Sequence, residues 1–381
     1  MYDKALTETA QNNIKRILVI QFQRYGDVLL ITPLFSTLKI NYPKVTIDVL
    51  VYKGTDDMIV HHPDISCRFA VDRNTKHQGI RSQYIKEKAL FKQLSKNPYD
   101  LILNLSTRWR AGWYCYLLRP ACSISFEIKK RSNFFWRKMH SILVKTNDHK
   151  EQHTVLNNLS ILDPLSLKQI NTDVKMAYHK KDMNKINKYY PLILSKKVIL
   201  IHPVASWEFK NWSKKSWADL INHLTAHEEI VAICHGAGSS DYSFVDAIVQ
   251  YCNHPDKIIK LGLQITELAA FMDYYTKLFI GVDSAPMHMA AALKVPSVAL
   301  FGPTNIKQWH PWAVPHTLIW AGNYDKLPLP EEINVKTKER YLNAIPSKDV
   351  IVAVDHWIDI EPKDPEGTPI NPRTDEPQVS E

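Results

Sequence analysis

The positions able to do chemistry in this chain fall in turns that follow buried apolar runs. The clearest is Asp283-Ser284-Ala285-Pro286, with His288 two residues on, between the run KLFIGV and a string of alanines. An acid, a hydroxyl, a helix-starting Pro and an imidazole gather there at the carboxyl end of a predicted strand. In open α/β sheets that is where ligands bind. The helix opening at this turn leaves unpaired N–H groups and a partial positive charge, which suits an anion such as a phosphate. A plain βαβ unit accounts equally well for the apolar residues, but it does not require Asp, Ser and His at the turn.

Two further turns carry charge. In HPVASWEFKNW, Ser206 and Lys210 follow the end of another apolar run, and a hydroxyl with an ammonium suits a diphosphate. The plain alternative is a surface Lys beside core tryptophans. In Gln23-Arg24-Tyr25-Gly26-Asp27, Gly26 permits a tight turn and Asp27 sits where a helix begins. Asp27 reads either as a helix cap, since Asp is a favoured one, or as a functional carboxylate. The helix terminus favours its charged form, so a depressed pKa is expected and the group acts as a weak base, late in proton transfer. The loop HGAGSS at 235–240 lacks the full G-x-G-x-x-G pattern, which argues against a nicotinamide dinucleotide site. No P-loop, H-E-x-x-H or D-x-D element is present, so no metal site is expected.

The elements that must position these turns come in two series. Strands are predicted at 16–22, 45–52, 67–72, 101–106 and 123–128, with helices at 28–42 and 80–95; a charged helix at 178–190 leads to Pro191. A second series places strands at 198–204, 230–235, 258–261, 277–282 and 297–301, with helices at 214–227, 241–252, 266–275 and 287–293. Alternation of this kind argues for parallel sheets with helices on both faces. The expected organisation is a polar extension at 1–14, Rossmann-like domains at 15–190 and 191–345 facing across a cleft, a last helix at 346–360, and a disordered tail at 361–381.

Composition narrows the class. Apolar residues make up 45% and charged residues 23%, the balance of a globular protein. No apolar run approaches the roughly 18 residues that span a bilayer, and the amino terminus has no apolar signal core, so a cytoplasmic chain is expected. Five scattered cysteines with no C-x-x-C pair read as buried thiols. The net charge of +9 implies an acidic partner, and the excess peaks between Thr107 and Lys150, where Trp109, Trp113, Phe134, Phe135 and Trp136 interleave with Arg and Lys. Such a mixture suits nucleic acid or a phosphorylated lipid surface, and equally an ordinary solvated basic face.

Four ordered motifs carry a resemblance: RILVIQFQRYGDVLLITPLFSTLK, HPVASWEFKNWSKKSWADLI, the run from LGLQITELAAF to VALFGPT, and WHPW at 309–312. From about Lys15 to Trp312 the chain resembles the ADP-heptose:lipopolysaccharide heptosyltransferases of glycosyltransferase family 9, most of all the heptosyltransferase III branch. The resemblance implies a GT-B architecture whose last helix packs back on the first domain. It implies an inverting, metal-independent transfer of heptose from ADP-heptose, with no cofactor, to the lipopolysaccharide inner core. Carried over by motif, Asp27 is the general base, and Ser206 and Lys210 contact the donor diphosphate. Asp283, Ser284 and Ala285 hold the donor, with His288 beside them, while Arg24, Tyr25 and Gly26 touch the acceptor. Gln23-Arg24-Tyr25 departs from the basic, His-rich run expected in that branch, which bears on acceptor identity. The basic segment then gains a use, peripheral contact with the inner membrane's cytoplasmic face. A nucleotide-sugar epimerase of similar architecture is the alternative enzyme; a nucleic-acid-binding protein ranks below both, since no such signature is present.

Overall fold

The computed structural model describes residues 13–73, 79–128, 134–147, 149–190, 197–227, 229–236 and 239–358. Residues 1–12 of the extension expected at 1–14, the tail at 361–381, Ala237, Gly238 and the basic residues 129–131 lie outside them.

The front domain runs β1 (Arg16–Gln21), α1 (Tyr25–Leu29), α2 (Thr32–Asn41), β2 (Thr46–Tyr52), β3 (Cys67–Val71), α3 (Ile80–Leu94) and β4 (Leu101–Asn104). It continues with α4 (Trp109–Leu118), β5 (Cys122–Glu127), α5 (Phe134–Lys138), β6 (Ile142–Lys145), α6 (Thr154–Leu159) and α7 (Lys180–Tyr189). The rear domain follows with β7 (Val198–His202), α8 (Lys214–Ala226), β8 (Val231–Cys234), α9 (Ser239–Val249), β9 (Ile258–Leu261) and α10 (Ile265–Tyr275). Then come β10 (Thr276–Val282), α11 (Ala285–Ala292), β11 (Ser297–Phe301), α12 (Ile306–Trp309), β12 (His316–Trp320) and α13 (Ser347–Ile358).

The front sheet has the order β3-β2-β1-β4-β5-β6 and the rear sheet β12-β11-β10-β7-β8-β9, with parallel pairing throughout. Central strands such as Val198–His202 and Ser297–Phe301 are buried along their whole length, as strands covered on both faces must be. Each sheet reverses direction beside its first strand, between β1 and β4 in front and between β7 and β10 behind. Ligand crevices of doubly wound sheets open at such switch points. The turn bearing Asp27 follows β1, the loop bearing Lys210 follows β7, and the turn bearing Asp283 follows β10. All three charged turns therefore leave a switch point.

Three expectations need correction. The single helix expected at 28–42 is two, because Pro33 lacks an N–H and can stand only in the first turn of a new helix, α2, where Thr32 Oγ1 donates to Leu29 O at 2.9 Å. The helix α7, expected in the front domain, packs on α10 of the rear one through Lys185–Glu267 at 2.8 Å, and Tyr178, just before it, donates from its Oη to Asp273 at 2.5 Å. The last helix does not return to the front domain: Val350 and Val354 of α13 enter the rear core, and Trp357 Nε1 donates to Thr317 Oγ1 at 2.9 Å.

A ribbon of contacts joins the domains beside the cleft. His153 of the front domain stacks on Trp312 at 4.5 Å, and its Nε2 lies 3.0 Å from His310 O. Asn305 and Gln308 donate to the carbonyls of Lys150 and His149 at 2.8 and 2.7 Å. The WHPW motif is thus spent on holding the domains together.

Candidate active site

The front wall of the cleft is the turn into α1. Arg24 is the N-cap residue, and Asp27, at the third helical position, accepts the Arg24 N–H at 3.1 Å. The same carboxyl therefore takes the cap-type hydrogen bond and lies at the cleft wall. Asp27 is half-buried, and loss of water around it pushes its carboxyl above the usual range, against the pull of Arg24 and Lys210. The depressed pKa expected from the helix terminus is thus overturned by burial. A raised pKa makes Asp27 a stronger base than the terminus alone would allow.

The rear wall is built from two loops. Lys210 ends a short helical turn, Glu208–Lys210, and its Nζ lies 2.6 Å from Asp283 Oδ2, with only 12% and 6% of these side chains exposed. Burial would raise the Asp283 carboxyl, but the Lys210 ammonium beside it holds it below the usual carboxylate range. His288, one turn into α11, is buried in the same group, and desolvation pushes its imidazole down to about 4. It is neutral at neutral pH, with its Nδ1 unpartnered among the described residues. Ser284 stands at the N-cap position of α11 with its side chain turned elsewhere, its Oγ 3.2 Å from Nδ1 of buried His202.

Front and rear meet closely. A Cβ added at Gly26 would stand 2.9 Å from His288 Cδ2 and 3.9 Å from the Ala285 Cα, so only glycine permits this approach. The Arg24 guanidinium lies 4.3 Å from the centre of the Trp207 ring, and Lys210 Nζ lies 5.0 Å from the same ring. The Lys210 charge reaches the Asp27 carboxyl across the gap.

Of the expected site residues, Arg24, Gly26, Asp27, Lys210, Asp283, Ala285 and His288 are brought together. Tyr25 is 40% exposed, with its hydroxyl against Gly54, and Ser206 lies exposed at the start of the Lys210 loop. Two residues in contact with this group escape sequence reasoning. Trp207 reads as a core tryptophan, and His202 as part of the apolar strand expected at 198–204; only their place in the segment that carries Ser206 hints at a site. Among the described residues no three His, Cys, Asp or Glu side chains gather as a metal site would need.

Paired doubly wound domains with charged loops converging from both switch points define a GT-B protein. The sequence profile of glycosyltransferase family 9 (heptosyltransferase) matches residues 88–338. The chain is 33% identical over 333 residues to lipopolysaccharide heptosyltransferase 3 of Escherichia coli K12, covering 87% of this chain and 94% of that protein. A family 9 glycosyl transferase from Veillonella parvula superposes with a TM-score of 0.75 at 20% identity, covering 90% of this chain and 97% of that one. The E. coli ADP-heptose LPS heptosyltransferase II superposes at 0.73 and 16% identity, covering 90% and 98%. The chain belongs to glycosyltransferase family 9 and is an enzyme of the heptosyltransferase kind.

Proposed function

We propose that this enzyme transfers heptose from ADP-heptose to the inner core of lipopolysaccharide, by one inverting displacement that uses neither metal nor cofactor. The observation that carries the reading is the approach of the Asp27 turn to the Lys210–Asp283 pair across the cleft. An acceptor hydroxyl lying against the front wall attacks the anomeric carbon of the donor. Its proton passes to Asp27, the bond from that carbon to the ADP oxygen breaks, and ADP leaves with the bonding electrons. Lys210, held in place by Asp283, meets the charge that develops on the diphosphate. Ser206, Ser284, Ala285 and His288 line the donor side, and Arg24, Tyr25 and Gly26 the acceptor side. The family match and the 33% identity to a heptosyltransferase 3 support both substrates and favour transfer over epimerisation.

The acceptor is lipid-borne, so the enzyme works at the cytoplasmic face of the inner membrane as a peripheral protein. No helix among the described residues is long and apolar enough to cross a membrane. The basic segment is the contact, without nucleic acid as partner. Incubating the protein with ADP-heptose and core oligosaccharide lacking the side-branch heptose, followed by mass spectrometry, tests the reading. A gain of one heptose with release of ADP is expected. Donor conversion without acceptor would show an epimerase instead.

A further inference from the structure

Away from the cleft, α3 and α4 cover one face of the front sheet, with Leu94 of α3 and Tyr114 of α4 packed into a common core. An open groove of about 580 Å³ runs between these helices, walled by Tyr84, Phe91, Trp113 and Leu117. That volume falls within the roughly 300–1,000 Å³ range of small-molecule sites. The one acid in its lining, Glu87, is taken by Arg110 and by the Tyr114 hydroxyl. Beyond α4 comes α5, seated by Trp136 against Gly112. Seven of the seventeen exposed large apolar side chains among the described residues stand on these three helices, including Phe134 and Phe135 at 63% and 65% exposure. Singly exposed apolar residues need no explanation, but a set that shares one groove, as Tyr84, Trp113 and Leu117 do, does.

Charge selects the occupant. The three helices with the capping Arg108 and Arg119 carry nine Lys and Arg against the single Glu87. A second copy of the chain would bring the same positive face against this one, which repels. Nucleic acid would match the charge and could stack on the rings, but it carries no hydrocarbon to fill the apolar slot along Phe91 and Leu117. An anionic bilayer matches both features, with Lys and Arg at phosphates, aromatic rings at headgroup depth and an apolar slot for hydrocarbon.

We propose that the α3–α4–α5 face docks on an anionic phospholipid bilayer, with a lipid acyl chain lying in the groove between Tyr84 and Trp113. This rests on the reading of a lipid-borne acceptor and locates where that membrane is met.

The test is co-sedimentation of the full chain with phosphatidylglycerol-containing vesicles and with vesicles of phosphatidylcholine alone, without donor or acceptor. Binding to the anionic vesicles only is expected, weakening with salt. Trp113→Ser with Leu117→Ser should lower that binding at least about tenfold. The same variant should keep transfer to a lipid-free core oligosaccharide. Brominated acyl chains should quench tryptophan fluorescence, and Trp113→Phe should remove part of that quenching. Wild-type binding by the double variant, equal binding to neutral vesicles, quenching indifferent to Trp113, or a dimer that the same substitutions dissociate would overturn the proposal. If vesicles bind as expected while no transfer occurs, the docking surface stands and the proposed reaction falls.

Discussion

Asp27 accepts the Arg24 N–H in the first turn of α1 and still presents a half-buried carboxyl to the cleft. Its burial sets the pH dependence. A base must be ionised, so kcat/KM should fall as pH drops, with a midpoint above the ordinary aspartate value of 3.8. A pH–rate profile checks this, and a midpoint below that value would mean the helix terminus outweighs burial after all. Lys210 and Asp283 are nearly buried and paired at 2.6 Å, so neither can be removed without stranding the other. Lys210→Ala should slow the chemical step by about 10²–10³. It should also destabilise the fold by about 3–5 kcal/mol, because a buried carboxylate loses its partner. Adding Asp283→Ala should restore much of the stability and none of the rate; chemical denaturation beside single-turnover kinetics separates the two effects.

At the scale of elements, all three charged turns reach the cleft because each follows a strand beside the point where its sheet's strand order reverses. Ten of the twelve described strands were legible as apolar runs, β11 at the residues expected, Ser297–Phe301, while the edge strands β6 and β12 were not. The α1–α2 break was not, since apolar periodicity runs through Pro33 without interruption. Asp27, Lys210 and Asp283 were each visible as charged residues after strands. Their convergence was not, because it depends on how two separate sheets face each other. The shift of the Asp27 pKa was misjudged for the same reason: a helix terminus is local and readable, whereas burial comes from the opposite domain. Trp207 stayed hidden because a tryptophan in a loop looks like core until a cation is seen over its face. Gly26 is the element-scale test. Gly26→Ala would press a methyl onto buried His288, and should cost about 1–3 kcal/mol of stability or part the two walls. Weakened turnover with unchanged donor affinity would mark the second outcome; a variant with wild-type stability and turnover would show that the walls do not touch there.

For the whole molecule, acid should loosen the structure through histidines buried neutral. His153, between the domains, is held at about 3, and His202 and His288 at about 4, against 6.5 when exposed. Below 6.5 the unfolded chain binds protons that the folded chain refuses, so their contribution is full above that pH and is lost as pH falls toward 4. Urea midpoints should therefore drop steadily across that window, and His153→Gln should flatten the slope by up to about 1.4 kcal/mol per pH unit. A midpoint rising with acidification would contradict it. The account as a whole depends on Asp27 serving the acceptor while the opposite wall holds the donor. The direct measurement is Asp27→Asn, which keeps an oxygen for the Arg24 N–H and removes the base. ADP-heptose binding by calorimetry should stay within about threefold of wild type while single-turnover transfer falls by about 10²–10⁴. Transfer at the wild-type rate, with the donor bound as before, would contradict the claim.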